Sequence, residues 1–298
     1  MTHLRPSNNT TASTPDHAGV EFGISENGFP VARIGDLLMA MVPARNGSHI
    51  LVSALGSMRQ FVKLTREDFY SHDGLLDSEA AFRARVFETA EHKRELSALG
   101  RIQTRMTAST PWGLSQMATI YDEGVVAHTT ASHGGFHLSP ARNLKVDCSL
   151  RNDGGYYEED NEWAIVALTF PALFTAYERN CADRTIRDSW PEVWERNHDR
   201  DLDPGESWSK DKKAFKQRHA GDWVVIAAIL SDHHDEMAEV LATLGGKRAH
   251  GIEERRYLVP NDDYAKRERS GFVIDQKRHA VYHGPSSFIG WQPGTTSA

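Results

Sequence analysis

The sequence predicts a mixed α+β protein, and three observations carry that expectation. Short apolar runs of period two recur around Asn-Gly and Gly-rich turns. Longer stretches with apolar residues three and four apart fall between them. No internal repeat and no coiled-coil heptad interrupts this mixture.

The first 18 residues, rich in Ser, Thr, Asn and Pro, read as a disordered tail, with no apolar core of signal-peptide length. Residues 19–100 read as a β-rich unit closed by a helix. "VEFGISENGFPVARIG" is a hairpin around Asn27-Gly28, and "LLMAMVPARNGSHILVSAL" repeats the device around Asn46-Gly47. "QFVKLT" is expected to add a strand. "DSEAAFRARVFETAEHKRELSALG" is an amphipathic helix with Phe82, Val86, Ala90 and Leu96 near one face, stopped by Gly100.

A second region is expected over 110–298, with a central part at 110–204 and a C-terminal part at 205–298. "TPWGLSQMATIYDEGVVAHTTASHGGFHLS" reads as a β-meander, turning at Asp122–Gly124 and again at Ser132–Gly135. "LRNDGGYYEEDNEWAIVALTF" passes from a Gly-rich turn into a helix, and "PALFTAYERNCA" and "DSWPEVWERNHD" continue helically, with Pro171 suited to a first turn. "GESWSKDKKAFKQRH" is a short basic helix. The last part reads β-α-β-β: "DWVVIAAILSDH" a strand, "DEMAEVLATLGG" a helix, "ERRYLVP" a strand and "GFVIDQKRHAVYHGP" a hairpin.

Composition narrows function. The net charge of −7 argues against non-specific wrapping of nucleic acid by the whole chain. The 14 Lys and Arg against 13 Asp and Glu over 205–298 leave room for a local basic face. Two cysteines are too few for a disulfide framework and form no CxxC knuckle, so a cytoplasmic setting is expected. The longest apolar run, "WAIVALTFPALF", is too short to span a membrane. No Walker loop, GxGxxG, HExxH or GxSxG occurs.

The densest chemistry lies in "AHTTASHGGFHLSPARN", Ala127–Asn143. With His133-Gly134 as a two-residue loop, Thr129 would face Leu138 and His128 would face Ser139. One face would then carry Ala131, Phe136, Thr129 and Leu138, the other His128, Thr130, His137 and Ser139. Two imidazoles placed diagonally could share a metal with a carboxylate, making His128, His137 and Asp160 the candidate ligands of a divalent ion. Alternatively one histidine serves as a base beside a hydroxyl. A solvated polar sheet face is the bland account. His133 with the Gly134-Gly135 amides could hold an anion, although the glycines alone would satisfy a turn. The acidic run Glu158, Glu159, Asp160 and Glu162 suits a helix start, with Asp160 as N-cap, and could instead orient a histidine. The catalytic candidates are therefore His128, His133, Glu159 and Asp160. "SDHHDE" gathers Asp232, His233, His234, Asp235 and Glu236, where capping of a helix by Asp232 or Asp235 is the simpler account. Lys212, Lys213 and Lys216 are the nucleic-acid-binding candidates.

From Thr110 onward the chain resembles an uncharacterised bacterial family carried largely by plasmids and phages. The matching residues are "TPWG", "HTTASHGGFHLS", "GGYYEEDNEWAIVALTFPALF", "RDSWPEVWE" and "GPSSFIGW", the last expected to pack through Phe288 and Trp291. It departs from the family pattern at Phe136-His137, and the first 100 residues fall outside. The family has no established reaction, ligand or catalytic residue. The resemblance implies an accessory role on a mobile element, with nucleic acid or a host defence protein as partner.

Overall fold

The computed structural model describes residues 19–44, 47–56 and 59–289. The expected tail, the tip of the Asn46-Gly47 turn at Asn46, and Trp291 lie outside them. The chain divides into two compact units, 1–180 and 181–298.

The first unit opens with an antiparallel meander, β1 (Val20–Ile24), β2 (Pro30–Ile34), β3 (Leu37–Pro43), β4 (His49–Leu55) and β5 (Leu75–Leu76), in that spatial order. Gly28 at φ 81° makes the expected first turn. Both faces of this sheet are covered. Leu38, Ala40, Val42 and Val52 pack against Leu64 and Phe69 of the following loop, while Met39, Met41 and Leu51 pack against Phe82 and Val86 of α1 (Glu79–Ala98). Ser78 caps α1 by accepting from the Ala81 amide at 3.1 Å. Leu96, expected on the buried face, is exposed. "QFVKLT" forms a 3-10 turn at Phe61–Lys63 rather than a strand, its extended run broken so that Leu64 can reach the core.

The second sheet of this unit runs in the spatial order β12, β11, β10, β9, β6. It uses β6 (Ile102–Thr104), β9 (Met117–Asp122), β10 (Val125–Thr129), β11 (Gly134–Leu138) and β12 (Tyr156–Glu158). A small hairpin, β7 (Ser109–Thr110) with β8 (Gly113–Leu114), precedes β9. A short helix, α2 (Pro140–Asn143), follows β11, and α3 (Trp163–Thr169) follows β12. Arg101 ties the region together. It donates to both Glu178 oxygens at 2.6 and 2.8 Å and to the Leu173 carbonyl at 2.8 Å, and lies 3.9 Å over the Tyr121 ring. The N-terminal helix joins the same cluster through His92 Nδ1 and Thr175 Oγ1, 2.8 Å apart.

The boundary between units falls within α4 (Ala176–Ser189). Beyond it come α5 (Pro191–His198), α6 (Trp208–Arg218) and the antiparallel sheet β13 (Trp223–Leu230), β14 (Met237–Leu244) and β15 (Glu254–Pro260), then α7 (Asn261–Ala265). The α+β expectation holds. The helix expected at "DEMAEVLATLGG" is instead the central strand β14. Its residues favour helix, but burial on both faces overrides propensity. Ala238, Val240 and Ala242 enter an apolar cluster with Trp223, Tyr257 and Val259, while Glu239, Leu241 and Thr243 are buried on the other side. Among the described residues the C-terminal "hairpin" forms no strand pair of its own and makes isolated bridges, Val224 with Val273, Tyr257 with Val281 and Glu268 with Gly271.

Candidate functional sites

The histidine turn is built differently from its expected register. Thr130–His133 forms the loop, held by Thr130, whose hydroxyl donates to the His133 carbonyl at 2.7 Å and whose amide donates to the same oxygen at 2.8 Å. Thr129 therefore faces Gly134, and His128 faces Gly135. The displacement is an even number of residues, so the face assignment of β10 and β11 survives: His128 and His137 share one side, Phe136 and Leu138 the other.

Gly134 and Gly135 lie inside β11, not in the turn. Both are buried, and neither has positive φ. Their smallness has a packing cause. A Cβ on Gly135 would stand 2.3 Å from the Tyr157 carbonyl and 2.4 Å from the Trp112 ring. One on Gly134 would meet the His128 carbonyl at 2.7 Å. The glycines let β7–β8 and β12 close on the sheet.

On the His128 side, an aromatic row runs across the strands. His137 stacks on Tyr156 with ring centroids 4.4 Å apart, Trp112 meets Tyr156 edge-on at 5.9 Å, and the His128 and His137 rings are 6.4 Å apart. His128 is buried, with Nδ1 3.1 Å from the Ser115 hydroxyl. That hydroxyl also reaches the Met117 carbonyl, to which it donates at 3.1 Å. Burial, then the neighbouring His137, holds the His128 pKa below the ordinary histidine value, and burial lowers that of His137. Ser115 carried no sequence signal of its own; only the β7–β8 hairpin brings it to His128.

The acidic run disperses. Glu162 turns inward, accepting from the Glu158 amide at 3.0 Å and the Asn152 side chain at 3.1 Å. Glu158 accepts from the Asp160 amide at 2.8 Å. Glu159 stands 3.9 Å from His133, both exposed. Asp160 is exposed and does not cap α3, whose first turn starts at Trp163 after Glu162. Among the described residues, neither a hydrogen bond nor an ion pair joins His128 to Glu158, Glu159 or Asp160, and no group of three or more His, Cys, Asp or Glu could hold a metal ion. "SDHHDE" is the loop between β13 and β14, with Glu236 at φ 59°, so no helix starts there for Asp232 or Asp235 to cap. Ser231 instead accepts from the His233 and His234 amides.

The basic candidates fare otherwise. In the second unit α6, the start of β13 and the turn after β14 enclose a cavity of about 610 Å³. Phe215, Val224 and Val225 form an apolar floor, and Lys212, Lys216, Lys247 and Arg248 stand around it with Trp208. Lys212 and Lys216 are one helical turn apart on one face of α6. Lys213 lines an adjoining hollow on the same helix. The nearby carboxylates are engaged elsewhere: Asp211 accepts from the Gly205 amide, Asp222 pairs with His219, and Glu268 pairs with Arg218. Among the described residues, none of these four lysines and Arg248 pairs with a carboxylate, while Lys210, Arg255 and Arg256 each do. Trp208 was not singled out from sequence; Lys247 and Arg248 belong to the basic stretch "GGKRAHGIEERR", and the Gly245-Gly246 turn, both residues at positive φ, brings them round to α6.

Residues 105–220 match a family described as a domain of unknown function, DUF7007. The match takes in the histidine turn, the acidic run and α6, and leaves out "GPSSFIGW". No curated protein and no solved structure matches the chain. Among the described residues no helix is long and apolar enough to cross a membrane.

Proposed function

We propose that this chain is a polyanion-binding module whose ligand is nucleic acid, held in the basic cavity of the second unit. One observation carries this reading: four cations with no carboxylate partner among the described residues, Lys212, Lys216, Lys247 and Arg248, line one cavity with Trp208 and Phe215, and Lys213 lines the adjoining hollow, within a chain whose net charge is negative. An unneutralised cluster of this kind gains by releasing condensed counterions from a phosphate backbone. Such binding suits an accessory role on a mobile element, the setting implied by the family resemblance. The test is electrophoretic mobility shift at low salt with the Lys212→Gln/Lys213→Gln/Lys216→Gln variant beside the parent. The parent retards the probe and the variant does not; a parent that leaves every probe free refutes the proposal.

A second reading rests on His128. Its neutral imidazole, held beside the Ser115 hydroxyl, suits a general base. It predicts that His128→Gln abolishes an activity that the lysine variant keeps. Screening of phosphodiester and ester substrates tests it, and equal turnover by parent and His128→Gln refutes it.

A further inference from the structure

We infer that the cavity accepts an unpaired nucleotide of a single strand, and so selects single-stranded over duplex nucleic acid. The inference rests on the polyanion-binding reading above and specifies its ligand.

The argument begins with shape. The charges do not lie on a flat face. They stand around a hollow whose volume, about 610 Å³, falls within the roughly 300–1,000 Å³ of small-molecule sites. A duplex presents phosphates outside and stacked bases inside. It could touch the rim of such a hollow but could place nothing in it. An unpaired nucleotide combines a planar, largely apolar body with an anionic tail, and the hollow has both counterparts.

The floor is apolar and kept open. Phe215 is buried beneath it beside Val224. Gly246 bounds it, where a Cβ would come 3.1 Å from Val224, and Gly271 packs on the floor from behind, where a Cβ would come 3.1 Å from the Phe215 ring. Side chains there would crowd Val224 and Phe215, the residues of the floor.

Trp208 supplies the platform. It is half-buried, and two cations already lie over its ring, Lys212 Nζ and Arg269 Cζ, each 5.1 Å from the centroid. A base stacking on the indole displaces one of them, and the freed cation is then beside the phosphate that follows the base. Arg248 is anchored differently. Its guanidinium donates to the Ile226 carbonyl, which fixes the group at the rim with further donors available to a phosphate oxygen. The floor has few polar groups to read base edges, so the preference is for strandedness and not for sequence.

The experiment is fluorescence anisotropy at low salt with the full chain and two probes, a short oligo(dT) strand and a blunt duplex of the same length. The parent is expected to bind the single strand more tightly. Trp208→Leu should weaken single-strand binding between about fivefold and about a hundredfold, as loss of one stacked base does, and leave duplex binding within about twofold. Trp208→Phe, which keeps a stacking face, should retain most of the single-strand affinity and guards against a folding defect in the leucine variant. Equal or tighter duplex binding overturns the inference but leaves polyanion binding standing. So does a Trp208→Leu variant that matches the parent, or a Trp208→Phe variant as weak as leucine. Binding of neither probe overturns both.

Discussion

Gly135→Ala tests how the first unit is assembled. The new methyl would lie 2.3 Å from the Tyr157 carbonyl and 2.4 Å from the Trp112 ring, where ordinary contact begins about 1 Å farther out. Trp112 can swing away. The Tyr157 oxygen cannot, because it belongs to β12, which pairs with Gly135 and Phe136 through Glu158 and Tyr157. Relief therefore means parting β11 from β12 and loosening Tyr157, now fully buried with its hydroxyl donating to Asn143 at 2.6 Å. Overpacking of a tight site costs about 1–3 kcal/mol. A lost ladder or side-chain hydrogen bond adds about 1 kcal/mol. The expected loss is thus about 2–4 kcal/mol, a urea midpoint lower by about 1 M or more in the transition of this unit. Gly154→Ala is the matched control. It has negative φ and its nearest neighbour, Tyr156, would be 3.5 Å away, so a change within about 0.5 kcal/mol is expected. Equal midpoints for the two variants would refute the close-packing account of the Gly-Gly pair.

Other consequences concern charge. His128 and His137 have folded pKa values below the unfolded value, so the unfolded chain binds more protons as acidity rises. The first unit should keep its full stability above about pH 6.5 and lose it as pH falls below that; His128→Gln/His137→Gln should flatten the profile in thermal melts at pH 7 and 5, and an unaltered slope would count against it. Glu239 is fully buried, accepting from Arg256 at 2.8 Å, Ser286 Oγ at 2.7 Å and the Ser287 amide at 2.7 Å. Although burial opposes its charge, these donors hold its pKa below the usual carboxylate value. Glu239→Ala strands the Arg256 charge and should cost the second unit about 3–5 kcal/mol by chemical denaturation; a loss below about 1 kcal/mol would contradict the pairing.

Much of the fold was legible because local signals agreed with tertiary demand. Asn27-Gly28 made its hairpin, Gly100 closed α1, and period-two runs became the two meanders. Failures arose where burial or distant partners decided. β14 contains helix formers, yet its neighbours bury it on both sides. Gly134-Gly135 resembles a turn, but serves close strand packing, Gly134 against the His128 carbonyl and Glu159, and Gly135 against Tyr157 and Trp112. The histidine register was displaced, though by an even step, so the shared face of His128 and His137 was legible while their partners were not. Ser115 meets His128 only through the β7–β8 hairpin, and the acidic run scatters because Glu158 sits on a strand and Glu162 satisfies backbone. At the basic cavity, the lysines of α6 were visible as a charge run. Lys247 and Arg248 were visible as a second basic stretch, but their meeting with α6 was not, since the Gly245-Gly246 turn that delivers them depends on β14 being a strand.

The salt dependence of single-strand binding tests the central claim most directly. Five cations with no carboxylate partner among the described residues, four around the cavity and Lys213 beside it, acting on a phosphate backbone predict that log Kd rises with log salt at a slope of about 3.5. Removing Lys212, Lys216 and Lys247 together should lower that slope to about 1.4. A slope near zero in the parent, or one unchanged in the triple variant, would contradict the assignment of this cavity as the anion-binding site.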